Sequence, residues 1–181
     1  MKIIASMLSM TALILLASCS SLPPVELTAE DFAWAAEQTT TQMLQSRCLD
    51  KPTGGRYVVV ISRVTNDTNQ YIDTDLLIKK IRVSMLNSGK AVITTAVGLT
   101  GPEDEMSAGV RGLGNDENFN QATVAGKGTM IAPDLSVSGK IIERHPNAGT
   151  KFATVEYYFQ LSLTDIRTGL AIWEGEQQIT K

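Results

Sequence analysis

The sequence predicts an α/β domain in which a mixed sheet has parallel crossover strands first and an antiparallel carboxyl-terminal meander last, flanked by helices. Three stretches carry that prediction. Tyr57-Val-Val-Val-Ile61 is a continuous apolar run of strong β propensity, as a central strand covered on both faces needs. A helical pattern opening at Asp73 and a second β run from Ala91 to Thr95 follow it, and strand, helix and strand in that order make a parallel crossover. Residues 153–164 then alternate. Ala153, Val155, Tyr157, Phe159, Leu161 and Leu163 share one face, and Thr154, Glu156, Tyr158, Gln160, Ser162 and Thr164 share the other. One face is core; the other is wet or held for a partner.

Ahead of this domain the chain carries an address. Lys2 followed by the apolar run Ile3 to Leu16 reads as a secretory signal peptide, too short for a transmembrane helix of roughly 20 residues. Ala17 and Ser18 directly before Cys19 resemble the bacterial lipobox. That resemblance implies cleavage before Cys19, a diacylglycerol on its sulfur and an acyl chain on its new amino terminus; an ordinary signal with an incidental cysteine is the competing reading. Several acyl chains make a durable anchor where one alone is marginal. Ser20, not an aspartate, follows the cysteine and by the usual sorting pattern implies the outer membrane, periplasmic side. The expected organisation is a signal peptide over 1–18, a lipidated tether over 19–27 and one domain over 28–181. At up to about 3.4 Å per residue, the tether from Ser20 to Leu27 reaches about 27 Å.

In order along the domain, Thr28 and Asp31 form a capping box that opens a helix running to about Arg47. Phe32, Ala35, Ala36, Thr39, Met43 and Leu44 fall on one face of it. Trp34 lies off that stripe, at its margin or in contact with something else, with core packing expected. Asp50 to Gly55 is a loop by its breakers. Ser62 to Gln70 reads as a polar loop leaving the first strand. In the second helix Asp73 is the cap, Leu77, Ile78, Ile81, Met85 and Leu86 face inward, and Gly89 is the stop. Leu99 to Asn118 is glycine-rich and reads equally as a short helix from Pro102 or as a loop. A further helix is expected from Phe119 to about Lys127. Leu135 to Glu143 is a strand with Leu135, Val137 and Ile141 on one side. Turns at His145–Gly149 and Asp165–Gly169 bound the alternating strand, and a last strand, Leu170 to Ile179, places Trp173 opposite the middle of the meander.

Composition and spacing argue against most chemistries. The formal charge is −3, one unit lower once Lys2 is removed, and Lys79-Lys80 is the longest basic run, so nothing suggests nucleic acid. With Cys19 lipidated, Cys48 has no partner in the chain: it is a small apolar residue at a helix end or the site of an intermolecular disulfide. His145, the only histidine, precedes a proline in a turn, a poor place for a buried base. No spacing supports zinc ligation by Cys48 and His145. A calcium loop counted from Asp67 finds Ile72 and Ile78 where glycine and glutamate are required. Gly109 to Gly114 and Gly126-Lys127 lack the context of nucleotide loops, and no G-x-S-x-G elbow occurs. Glu103, Asp104 and Glu105 read as a solvated cluster at a helix start. No catalytic residue, metal site or cofactor beyond the lipid is expected.

One block runs Val58-Val-Val-Ile-Ser-Arg-Val-Thr-Asn-Asp-Thr68, then Ile72-Asp-Thr-Asp-Leu-Leu77 and Leu86-Asn-Ser-Gly-Lys90; another runs Phe159-Gln-Leu-Ser-Leu-Thr-Asp-Ile-Arg-Thr-Gly169 into Ile172-Trp-Glu-Gly175. Together these two blocks resemble the LpoB family of outer-membrane lipoproteins. The resemblance implies a fold like the amino-terminal domain of TolB and a non-enzymatic activator of a bifunctional class A penicillin-binding protein. It implies structural roles for Asn66 and Thr68 in the loop after the strand, for Asp73 at the helix start and for Gly169 in the turn. Candidate partner-binding residues are Asn66, Asn69, Tyr71, Tyr158 and Gln160, on the polar sheet face and the loop at 62–71; the loop at 99–118 is a third surface. Better-known members carry a long disordered tether, whereas about 27 Å here requires a tall partner or a thin periplasm. Two alternatives stand beside this reading: a structural part of an outer-membrane assembly with a CsgG-like α/β domain, and a wall hydrolase using Glu103 or Glu105.

Overall fold

A computed structural model describes residues 27–97, 104–126, 128–146, 149 and 154–180. The signal peptide, Cys19 and nearly all of the tether lie outside these residues, as do Gly98–Glu103, Lys127 and Ala153.

Helix α1 spans Ala29–Gln45, with Thr28 as its N-cap. The Asp31 carboxylate accepts the Thr28 backbone N–H at 2.7 Å and its hydroxyl at 2.8 Å, so the capping box forms as expected. Phe32, Ala33, Ala35, Ala36, Thr39, Thr40 and Met43 are buried. The two buried threonines donate to the carbonyls of Ala35 and Ala36, at 2.8 and 2.6 Å, which satisfies both hydroxyls inside the core. Trp34 does not pack in the core: it is 48 % exposed, because its position on the helix faces away from the sheet.

Strand β1, Tyr57–Asp67, is longer than its apolar run. Val59 and Ile61 point into the core, Ser62 and Arg63 are both exposed, and Val64 points in again. The partner register advances by two between Ile61 and Val64 where β1 advances by three, which is a β-bulge of one residue. Ser62 to Asp67 is therefore strand and not the expected loop, which begins only at Thr68.

Helix α2, Thr74–Asn87, follows. The Asp73 carboxylate accepts from the backbone of Asp75 and Leu76 at 3.0 and 3.1 Å, and Gly89 leaves the helix at φ +67°. Leu77, Ile78, Ile81 and Met85 are buried; Leu86, expected inward, is 48 % exposed. Strand β2, Ala91–Ile93, pairs parallel with β1 and completes the crossover. Helix α3, Glu105–Leu113, forms within the glycine-rich stretch, capped by Asp104 on the Ser107 N–H at 2.9 Å, and turns follow it. Residues 119–126 are turns and bends, not the expected helix.

Strand β3, Leu135–Arg144, lies parallel to β1; β4, Glu156–Asp165, and β5, Ala171–Ile179, complete an antiparallel meander. The sheet order is β2-β1-β3-β4-β5. Helices α1 and α2 cover one face, α1 against β4 and β5, α2 against β1 and β2. Between them and the sheet lie the large buried side chains, including Phe32, Met43, Ile81, Ile141, Phe159 and Leu163. Phe32 meets the Tyr157 ring edge-on, with centroids 6.0 Å apart. Among the described elements none packs on the other face, so Val58 and Val60 are half-buried and the expected cover on both faces is absent there. No helix among the described residues is long and apolar enough to cross a membrane.

Candidate functional site

The candidate residues fall on two surfaces. The first is the pole where β1 ends, α1 and α2 begin, and the chain enters at Leu27. Asn66, the next-to-last residue of β1, donates its amide to the Gln70 carbonyl at 2.7 Å and accepts from the Thr68 hydroxyl at 2.7 Å. The Gln70 N–H donates back to the Thr68 hydroxyl at 3.2 Å. Asn69 reaches across to β3, where its backbone N–H and its side-chain amide donate to the two oxygens of Glu143 at 2.8 and 3.0 Å. The expected ordering role of Asn66 and Thr68 is thus seen, and Asn69 latches the same loop to the sheet.

Glu143 is the residue that spacing alone missed. Its side chain is only 7 % exposed and also accepts from His145 Nε2 at 2.8 Å. The Asn69 N–H holds its carboxyl below the usual range, with burial opposing and the Asn69 amide and His145 assisting. One signal was available. Leu135, Val137 and Ile141 point inward, and by strand parity so does residue 143, so a carboxylate there needed partners.

With the loop fixed, Ile72 is buried and Tyr71 stands out at 96 % exposure. Leu27, Phe32, Tyr71, Ile72 and Leu76 help to line a hollow of about 440 Å³ at this pole.

The second surface is the uncovered sheet face, and Tyr158 and Gln160 lie on it. Across the strands, Lys140 stands beside Gln160 and Glu176, and Ile142 stands beside Tyr158 and Gln178. The Gln160 amide donates to Glu176 at 2.7 Å, the Ser162 hydroxyl to Glu174 at 3.4 Å, and Lys140 pairs with Asp67 at 2.7 Å. The Tyr158 hydroxyl donates to Glu156 at 2.9 Å, and the Arg144 guanidinium lies 5.9 Å from its ring centre. The hydrogen bond to Glu156 raises the Tyr158 pKa, aided by desolvation. This face is hydrogen-bonded side chain to side chain and rich in both donors and acceptors, with Tyr158, Gln160 and Ser162 half-buried and Lys140, Glu174 and Glu176 exposed.

Asn66, Asn69 and Tyr71 therefore share one surface, and Tyr158 and Gln160 another. Cys19 and Glu103 lie outside the described residues, and Glu105 sits exposed in the first turn of α3. Cys48 is half-buried just beyond α1, its thiol donating to the Met43 carbonyl at 3.4 Å. Among the described residues, no three His, Cys, Asp or Glu side chains are grouped to hold a metal ion.

Comparison with known proteins adds a family. A family model described as "Peptidoglycan-synthase activator LpoB" matches residues 31–179. The LpoB C-terminal domain from Salmonella enterica aligns at 16 % identity and a TM-score of 0.48, covering 83 % of this chain and 99 % of that one. The corresponding domain from Escherichia coli aligns at 13 % identity and 0.48, covering 81 % and 98 %. The NMR structure of E. coli LpoB aligns at 15 % and 0.48, covering 99 % of this chain and 83 % of that one. The search of curated proteins gives no match.

Proposed function

Since the chain belongs to the LpoB family of peptidoglycan-synthase activators, we propose that it is a lipid-anchored regulator of cell-wall synthesis that binds and activates a bifunctional class A penicillin-binding protein without catalysis of its own. The family match over residues 31–179, nearly the whole expected domain, is the observation that carries this reading. Anchoring at Cys19 in the outer membrane, with the domain on the periplasmic side, is supported by the apolar run Ile3–Leu16 and by Ala17-Ser18 before the cysteine.

The uncovered sheet face is the surface assigned to the synthase. It carries polar side chains already paired with one another, Tyr158, Gln160 and Ser162 among them half-buried, so fewer rotamers are lost when a partner covers them. Activation of this kind requires no group that makes or breaks a bond; it requires that the bound form of the synthase be favoured by differential contact. The test is direct. The anchor-free domain, added to the organism's purified class A synthase, is expected to raise both glycan polymerisation and peptide crosslinking; binding without stimulation, or neither, sinks the reading.

A further inference from the structure

Tyr71 is an apolar surface with no use inside the domain. Its ring is 96 % exposed, on a loop pinned by Asn66, by Thr68 and by the two Asn69 bonds to Glu143. A fixed loop that holds an aromatic ring in water gains nothing for folding and presents that ring to something else. Leu76, 37 % exposed, and half-buried Leu27 line the same hollow. Leu27 is also where the tether arrives, and Cys19 stands eight residues before it, at most about 27 Å away.

We propose that this pole, with Tyr71 foremost and Leu76 and Leu27 beside it, rests on the bilayer in which Cys19 is anchored, the tyrosine ring seated at headgroup level. The inference rests on the reading of Cys19 as lipidated. A short tether delivers this pole, and not the one at the β4–β5 turn, to the bilayer surface at high effective concentration, so a weak contact suffices. Tyrosine is one of the two side chains enriched at that depth, since its body is apolar and its tip is polar. Charge narrows the surface further. Among the described residues, Glu30, Asp31, Asp73 and Asp75 open the two helices here, and Asp67, Glu143 and Glu156 stand at the same ends of the strands, against Lys140 and Arg144. This excess of carboxylates fits a zwitterionic leaflet and is repelled by an anionic one.

The experiment uses the full-length, lipid-modified protein in phosphatidylethanolamine-rich vesicles, with a photoreactive side chain at position 71 or, as control, at Leu170 in the β4–β5 turn. Mass spectrometry of the same sample reads the Cys19 peptide. Lipid adducts at 71 are expected to exceed those at 170 by about fivefold or more, as tethered contact at one pole requires, and to fall when an anionic lipid is added. Equal labelling at the two positions on an acylated protein, or adducts at 71 to protein alone, overturns the pole assignment and leaves the anchor standing. An unmodified Cys19 peptide removes the anchor and the assignment together.

Discussion

At the scale of single residues, the most informative side chain is Glu143, because one carboxylate holds both a neighbouring histidine and a loop 74 residues away in sequence. Replacing it with glutamine leaves at most one acceptor for the two Asn69 donors and is expected to cost about 1–3 kcal/mol at neutral pH, as for a hydrogen bond to a buried charge. The pH dependence has a fixed sign. Folding lowers this pKa, chiefly through the Asn69 N–H, so the unfolded chain takes up the proton more readily. The stability it contributes is fully present above the ordinary value of 4.5 and is lost as pH falls through the lower folded value. Denaturant midpoints at neutral pH and below 4.5 should therefore differ less in Glu143→Gln than in the parent; an equal difference refutes the latch. Gly175 is a second such position. A Cβ there would lie 2.3 and 2.6 Å from the Trp173 ring, which is packed against the core, so the indole occupies the space a side chain at this position would need. Gly175→Ala is expected to displace the ring, shift its emission to the red in a Trp34→Phe background, and cost about 1–3 kcal/mol by overpacking.

At the scale of elements, α1 separates what a helix buries from what it merely carries. Met43 is fully buried and Trp34 is 48 % exposed on the same helix. Met43→Ala should cost about 2–5 kcal/mol through lost contacts and a residual cavity, while Trp34→Ala should change stability by no more than about 0.5 kcal/mol. Thermal or urea unfolding of the two variants checks the contrast, and a large loss in Trp34→Ala would mean that the ring is part of the core after all. The comparison shows where sequence patterns carry information and where they do not. Periodicity located α1, α2, β3 and β4, since each has one face that must leave water and the period reports that face, whereas β5 followed from the turn at Asp165–Gly169 before it. It failed at the ends of patterns. Leu86 and Trp34 are apolar but lie beyond the arc that the sheet can cover. Ser62 and Arg63 broke the alternation of β1 by a bulge, which looks from sequence like the start of a loop; only the parallel partner β3 carries the strand on to Asp67. Phe119 to Ala125 has helical composition, yet no buried face holds it, with Phe119, Ala122 and Ala125 all exposed, and turns prevail. The Asn69 to Glu143 contact was beyond reach for a different reason: nothing local to either residue names the other.

At the scale of the whole molecule, the sheet divides the candidate residues and so divides the expected effects of changing them. Tyr158 and Gln160 point from the uncovered face, whereas Asn69 and Glu143 lie on the helix-covered side at the tethered pole, where Tyr71 projects beyond them. If the synthase meets the uncovered face and the bilayer meets the pole, changes at Tyr71 and changes at Tyr158 and Gln160 are expected to add, with Arg144, which lies at the pole and over the Tyr158 ring, left in place. Tyr158→Ala combined with Gln160→Ala removes a ring and a hydrogen-bonded amide from the assigned face. That double variant should weaken the domain's apparent affinity for the synthase about tenfold, equivalent to about 1.4 kcal/mol, while an unchanged fold is confirmed by its thermal unfolding. Tyr71→Ser, measured with the same anchor-free domain in solution, should leave stimulation unchanged, because no bilayer is present for the ring to meet. The informative comparison is between formats. Restoring the anchor and the membrane should make Tyr71 matter without changing the penalty at Tyr158 and Gln160. Loss of stimulation by Tyr71→Ser in solution would instead place the synthase at the tethered pole, and the open face would then need another partner to account for its ordered, uncovered row of polar side chains.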